Sequence, residues 1–242
     1  YKRQPQGVVL HDGFLARSGG APYAAVLGTS IGFAVAPLLA DGSLGSISTW
    51  DWSLDGPLHA VAPLAGEDVS LHAIGLGDAG EGAIVEIDGS ASIATTYELG
   101  TGLVAGLSEA NASVSSIQHG MVGGTTFTLF VGTDRGLFVL ETTSARDDQA
   151  GDWRFFYTPD STPIPTDVDG VRSLPLGTTG NPAEVRTIVL DGPDDDNAQA
   201  LWFGTPAGLH KLDLIDDIIE HSGMMAHPGV DGKLSKDTNN IH

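Results

Sequence analysis

Cysteine is missing from the 242-residue chain, so it holds no disulfide framework, thiolate metal site or cysteine nucleophile. Basic side chains are scarce. Eleven Lys and Arg stand against 31 Asp and Glu, a net charge of −20. That excludes nucleic acid as a partner, because a polyanion needs clustered cations to displace its counterions. An anionic membrane surface is disfavoured for the same reason. No apolar run reaches the roughly 18 residues of a membrane span. Helical periodicity is nearly absent. The best stretch is 212–221 (LDLIDDIIEH), apolar at Leu214, Ile215, Ile218 and Ile219, which predicts one short helix or a loop.

What remains is the composition of a packed domain. Hydrophobic residues make up 41% and charged residues 17%, so the chain can bury a core. Lack of cysteine suits a bacterial exported protein as well as a cytosolic one. The acidic skew, with only four Lys, points to an extracellular or periplasmic setting. Tyr1 is not an initiator Met and no charged-then-apolar leader precedes it. Either a leader was removed, or the chain belongs to a longer product.

Glycine (33) and proline (13) are scattered along the chain and separate short β-branched or aromatic runs. These runs, at 7–10, 23–27, 33–35, 46–52, 84–87, 127–131, 137–140, 153–157, 185–190 and 201–203, have the length of strands. One pattern recurs among them. Val26-Leu27-Gly28-Thr29-Ser30-Ile31-Gly32-Phe33 aligns with Phe130-Val131-Gly132-Thr133-Asp134-Arg135-Gly136-Leu137 and with Trp202-Phe203-Gly204-Thr205-Pro206-Ala207-Gly208-Leu209. A degenerate copy runs from Gly75 to Gly82, with Gly77 as its anchor. The pattern suits a hairpin whose second glycine supplies the positive φ of the exit. The strand after it, as in Gly136-Leu-Phe-Val-Leu140, is apolar on both faces and must lie between neighbouring sheets. Gly28, Gly77, Gly132 and Gly204 are separated by 49, 55 and 72 residues. The first two intervals match one four-stranded propeller blade, and the third leaves room for an insertion. The expected fold is therefore an all-β propeller.

Leu201-Trp202-Phe203-Gly204-Thr205 followed by Gly208-Leu209-His210-Lys211-Leu212-Asp213 resembles the repeat of the two-component-regulator propeller family. Leu129-Phe130-Val131-Gly132-Thr133 through Gly136-Leu137 is similar, and 25–33 is a weaker copy. The resemblance implies a recognition scaffold of bacterial sensor and surface proteins, with no fixed catalytic residues. Blades are expected at about 7–52, 58–99, 112–157 and 185–214, forming a single domain or a portion of a larger one. Segment 158–183 reads as a long inter-blade loop and 234–242 as the start of a further blade. Four blades leave an open ring, and exposing apolar blade faces costs about 25 cal/mol per Å². A closed ring of six or seven blades then needs more of the same polypeptide or another protein chain. A compact five-bladed monomer is the competing account.

Two residue sets can carry chemistry. His11, His59 and His119 lie near the first strands of blades, and His242 at the start of the supposed next one. Imidazoles from successive blades around the axis would bind a transition metal. The opposing reading is that such side chains point towards adjacent blades. Asp191, Asp194, Asp195 and Asp196 crowd one hairpin connection and are of the type that holds Ca²⁺, although the spacing is not that of an EF-hand. The plainer reading is a solvated turn that discourages edge pairing. Trp50, Trp52, Trp153, Phe155, Phe156 and Tyr157 read as inter-blade packing. No phosphate loop, G-x-S-x-G elbow, HExxH or CxxC is present, so no catalytic residue and no cofactor beyond such a metal is expected. The sequence favours a non-enzymatic recognition or assembly module of a larger exported or sensory protein. The alternative is a propeller enzyme or metal protein with a His-lined site at the central channel.

Overall fold

The computed structural model describes residues 7–18, 20–51, 57–64, 71–78, 81–99, 107, 111–124, 126–142, 152–157, 171–173, 184–191, 197–205, 208–214 and 218–222. Its recurring local unit is the Gly-Thr-x-x-Gly hairpin. In the first copy, β2 (Ala21–Thr29) reverses into β3 (Gly32–Pro37) with Thr29 paired to Gly32. The Thr29 hydroxyl donates to the Gly32 carbonyl at 2.8 Å and accepts from the Ile31 amide at 3.2 Å. Gly32 has φ +111°, which a side chain would strain. Between β10 (Thr126–Thr133) and β11 (Gly136–Thr142) the arrangement repeats. Thr133 donates to the Gly136 carbonyl at 2.9 Å and accepts from the Arg135 amide at 3.0 Å, and Gly136 has φ +145°. Threonine is thus the hydroxyl that closes the turn, and glycine the residue that can leave it.

Around these hairpins stand four sheets. The first is β1 (Leu10–Ser18), β2, β3 and β4 (Ser48–Asp51); the second is β5 (Ala60–Pro63), β6 (Leu71–Leu76), β7 (Gly82–Ile87) and β8 (Ile93–Glu98). The third runs from β9 (Val114–Val122) through β10, β11 and β12 (Asp152–Tyr157) to β13 (Val171–Ser173). The fourth is β14 (Thr187–Asp191), β15 (Ala200–Thr205), β16 (Gly208–Asp213) and β17 (Ile218–Ser222). Within each sheet the strands follow chain order and pair antiparallel, apart from β13, which lies parallel to β12.

The sheets stack face to face. One buried cluster joins the first to the second through Val26, Phe33 and Val35 against Leu58, Val61 and Val85. Another joins the second to the third through Ile74, Leu76 and Ile84 against Ile117, Leu129 and Phe138. The last joins the third to the fourth through Phe130, Leu137 and Val139 against Ile188, Leu201 and Phe203. Strand β11 serves two clusters at once: Leu137, Phe138, Val139 and Leu140 are all fully buried, alternate residues facing opposite neighbours. The first strands β1, β5, β9 and β14 lie next to one another in chain order, as the inner strands of a propeller must. The fold is a β-propeller arrangement of four antiparallel sheets. Among the described residues the ring is not closed, and no buried cluster joins the fourth sheet to the first.

Register puts the sheets in correspondence and corrects one anchor. Gly28, Gly132 and Gly204 are partners of Phe33, Leu137 and Leu209 across their hairpins. The same place in the second sheet belongs to Leu76, partner of Gly82, and not to Gly77. Leu76 faces the third sheet, as Gly28 faces Leu58 and Val61 of the second. Gly77 falls inside a longer turn, where its amide donates to the Glu81 carbonyl at 2.6 Å.

Two further expectations change. The described residues of segment 212–221 form no helix: Leu212 lies on β16 and pairs with Ile219 of β17. Of the residues that imitate a helical spacing, Leu214 follows β16, Ile218 and Ile219 belong to β17, and Ile215 lies outside the described residues. Segment 158–183 is not wholly loop, because Val171, Arg172 and Ser173 form β13. The rest of that segment, Trp52 and 234–242 lie outside the described residues.

Candidate functional site

The first residue of the inner strand pairs with the last residue of the second strand in three sheets and with the one before it, Gly204, in the fourth, so the inner-strand starts and the Gly-Thr turns share one end of the sheets. Asp12, Ala60, Ser116 and Thr187 are the residues paired with Gly28, Leu76, Gly132 and Gly204. The residues just before them are His11, His59, Ser115 and Arg186, one from each sheet. A register shift brackets His11 on β1, and another falls at Ser115 on β9. Bulges of this kind re-aim a side chain at a sheet's end.

Two of the four predicted histidines are therefore brought together. The rings of His11 and His59 are 4.8 Å apart between centroids and inclined at 64°. His59 Nε2 is 3.3 Å from Asp78 Oδ2, in the long turn of the second sheet. The His59 side chain is 24% exposed and that of Asp78 56%, so any attraction, which needs a protonated imidazole, is screened from the Asp78 side. The His59 backbone is fixed by its amide, which donates to the Leu76 carbonyl at 2.8 Å. Burial, and secondarily the neighbouring His59, hold the His11 pKa below the ordinary imidazole value, while Asp78 opposes them.

The next two positions have other partners. Ser115 Oγ donates to the Gly132 carbonyl at 2.9 Å and also lies against the Val185 carbonyl, stitching the third sheet to the fourth. Arg186 is exposed and bonds Glu184 through Nη2 at 2.8 Å. At the junction of the first and second sheets Asp12 has the equivalent role, its Oδ2 accepting from the Val61 amide at 3.0 Å.

His119 is not at this mouth. It lies four residues past Ser115 along β9, about 13 Å at the rise of a strand. It is opposite Leu129, on the face turned to the second sheet, and only 6% exposed. Its ring stacks on Phe127 at 6.2 Å, and burial pushes its pKa down to about 4. Asp191 ends β14, and its Oδ2 accepts from Trp202 Nε1 at 3.2 Å. His242, Asp194, Asp195 and Asp196 lie outside the described residues. Among the described residues, no group of three or more His, Cys, Asp or Glu is spaced to enclose a metal ion. Likewise no described helix is long and apolar enough to cross a membrane.

Sequence reasoning missed Asp78, Ser115 and Arg186. The usable signal was position: each inner strand offers one residue just before its first paired one. Asp78 was visible only within a degenerate repeat.

No protein-family model matches the chain, and no curated protein does. Among solved structures it is similar to the Dos1 propeller, at 15% identity and a TM-score of 0.43, over 87% of this chain and 45% of that one. The chain thus spans less than half the length of that propeller chain.

Proposed function

We propose that the chain is a non-enzymatic recognition and assembly module, a run of propeller blades whose outer faces are met by other polypeptide. That polypeptide is either further blades of the same product or a partner chain. One observation carries the reading. Leu15 on β1 is 51% exposed, whereas His119, its register counterpart on β9, is 6% exposed under the second sheet. At the other end Val189 on β14 is 57% exposed, whereas its counterpart Ala62 on β5 is 1% exposed under the third. Leu15 points opposite to Ala16, which packs on the second sheet, and Val189 opposite to Ile188, which packs on the third. Positions that interior junctions shut away carry open aliphatic side chains on the two terminal sheets. Such surface is the usual mark of an association face.

The resemblance to two-component-regulator repeats supports a finer version, a module of an exported or surface sensor protein of a bacterium. The acidic composition fits that setting. Native mass of the purified chain at micromolar concentration, with Leu15→Asp and Val189→Asp variants, tests the coarser reading. It expects an assembly heavier than one chain, released by either substitution while the β-sheet circular dichroism persists. A strictly monomeric parent, with both variants equal to it in urea midpoint, ends the reading.

A further inference from the structure

We propose that His11 and His59 form a two-imidazole site for a divalent transition-metal ion, Cu²⁺ foremost, with the Asp78 carboxylate beside the His59 ring. This goes beyond the assembly reading and can fail independently of it.

Geometry carries the inference. A first-row ion binds imidazole nitrogen at about 2.0–2.1 Å, which places it about 3.2 Å from the ring centre. Two rings holding one ion at a right angle then have centres about 4.5 Å apart, and at a tetrahedral angle about 5.2 Å. The observed 4.8 Å falls between these values. Angles near 90° suit the tetragonal preference of Cu²⁺, which also leads the affinity order for nitrogen sites.

Asp78 supplies the second observation. Its Oδ2 stands 3.3 Å from His59 Nε2, within ion-pair distance, so the carboxylate lies beside that ring nitrogen. Were the carboxylate to accept a hydrogen bond from that nitrogen on metal uptake, the resulting carboxylate–histidine–metal chain would fix the tautomer and raise ligand basicity. Water completes the coordination, since only two protein nitrogens take part. The two histidines hold matching places on consecutive inner strands, and the next two places carry Ser115 and Arg186, which are not ligands for this ion. The site is therefore confined to the first two sheets. A net charge of −20 draws cations towards it.

The test is titration of the intact, metal-free chain with CuCl₂, followed by calorimetry and by electron paramagnetic resonance. The expected result is one tight equivalent with two coupled nitrogens. His11→Asn and His59→Asn should each leave one nitrogen of that pair and weaken binding at least tenfold. Asp78→Asn should keep both nitrogens and weaken binding by about 10- to 100-fold. His119→Leu should change nothing. The proposal is overturned if the parent takes up no Cu²⁺ at 100-fold excess over micromolar protein. It is equally overturned if nitrogen count and affinity survive His11→Asn, an exposed position whose substitution the fold tolerates.

Discussion

The junctions between the first and second sheets and between the third and fourth are built alike, and the one between them is not. At both outer junctions the Gly-Thr corner receives the approaching chain by a backbone bond, Leu58 amide to Thr29 carbonyl at 3.0 Å and Val185 amide to Thr133 carbonyl at 2.9 Å. At both, a side chain of the inner strand adds a second stitch, Asp12 to Val61 and Ser115 to Val185. Among the described residues no backbone hydrogen bond links the second sheet to the third. That junction rests on an apolar cluster, with Leu76 where the others have glycine and with a buried histidine inside it. A corner glycine goes with close, directional docking; a leucine there goes with an apolar contact that lacks those bonds.

The sharpest way to break this contrast is Phe138→Ala. Phe138 is fully buried at the central junction, and its loss should cost about 3–5 kcal/mol in urea unfolding. Acid comes next. The unfolded His119 imidazole takes its proton near pH 6.5, the folded one near 4. Between these values the unfolded state binds more protons, so stability falls as pH drops and levels off below about 4. The full loss is roughly 3 kcal/mol, and above pH 6.5 the effect vanishes. Urea midpoints from pH 7 to 4 should show this slope in the parent and a shallower one in His119→Leu.

Gly132→Ala probes an outer corner. Its new Cβ would stand 2.8 Å from the Val185 carbonyl oxygen, which is backbone and cannot swing away. A loss of about 1–3 kcal/mol is expected, without any pH dependence of its own. Gly204→Ala is the counterpart at the same register position. Its Cβ would meet only Thr187 Cγ2 at 3.0 Å, so a change under about 0.5 kcal/mol is expected in the same urea assay. Equal effects at 132 and 204 would show that the corner glycine serves the hairpin rather than the docking.

The hairpins at 28 and 132 are legible in the sequence because their demands are local: a hydroxyl two residues before a turn amide, a glycine where φ is positive. The second sheet misleads at Gly77 because its longer turn shifts the register, and register is a property of two strands. β17 misleads for a kindred reason, as periodicity does not reveal where a chain turns back. Strand β1 extends to Ser18 through Gly13, Ala16 and Arg17, residues without strand character, and pairing with β2 holds it extended. The nearness of His11 to His59 is foreseeable from their places before successive blades. Asp78 needs the actual course of the turn, and the separation of His119 needs its strand parity.

Because the Thr29 and Thr133 carbonyls dock the backbone that begins the following sheet, the heritable unit here is not a sheet but a corner together with its successor's opening. Duplication or grafting should then succeed when the crossover falls within the outermost strands, and fail when it separates residue 29 from 58 or 133 from 185. New blades would be added to such a chain by copying a seam.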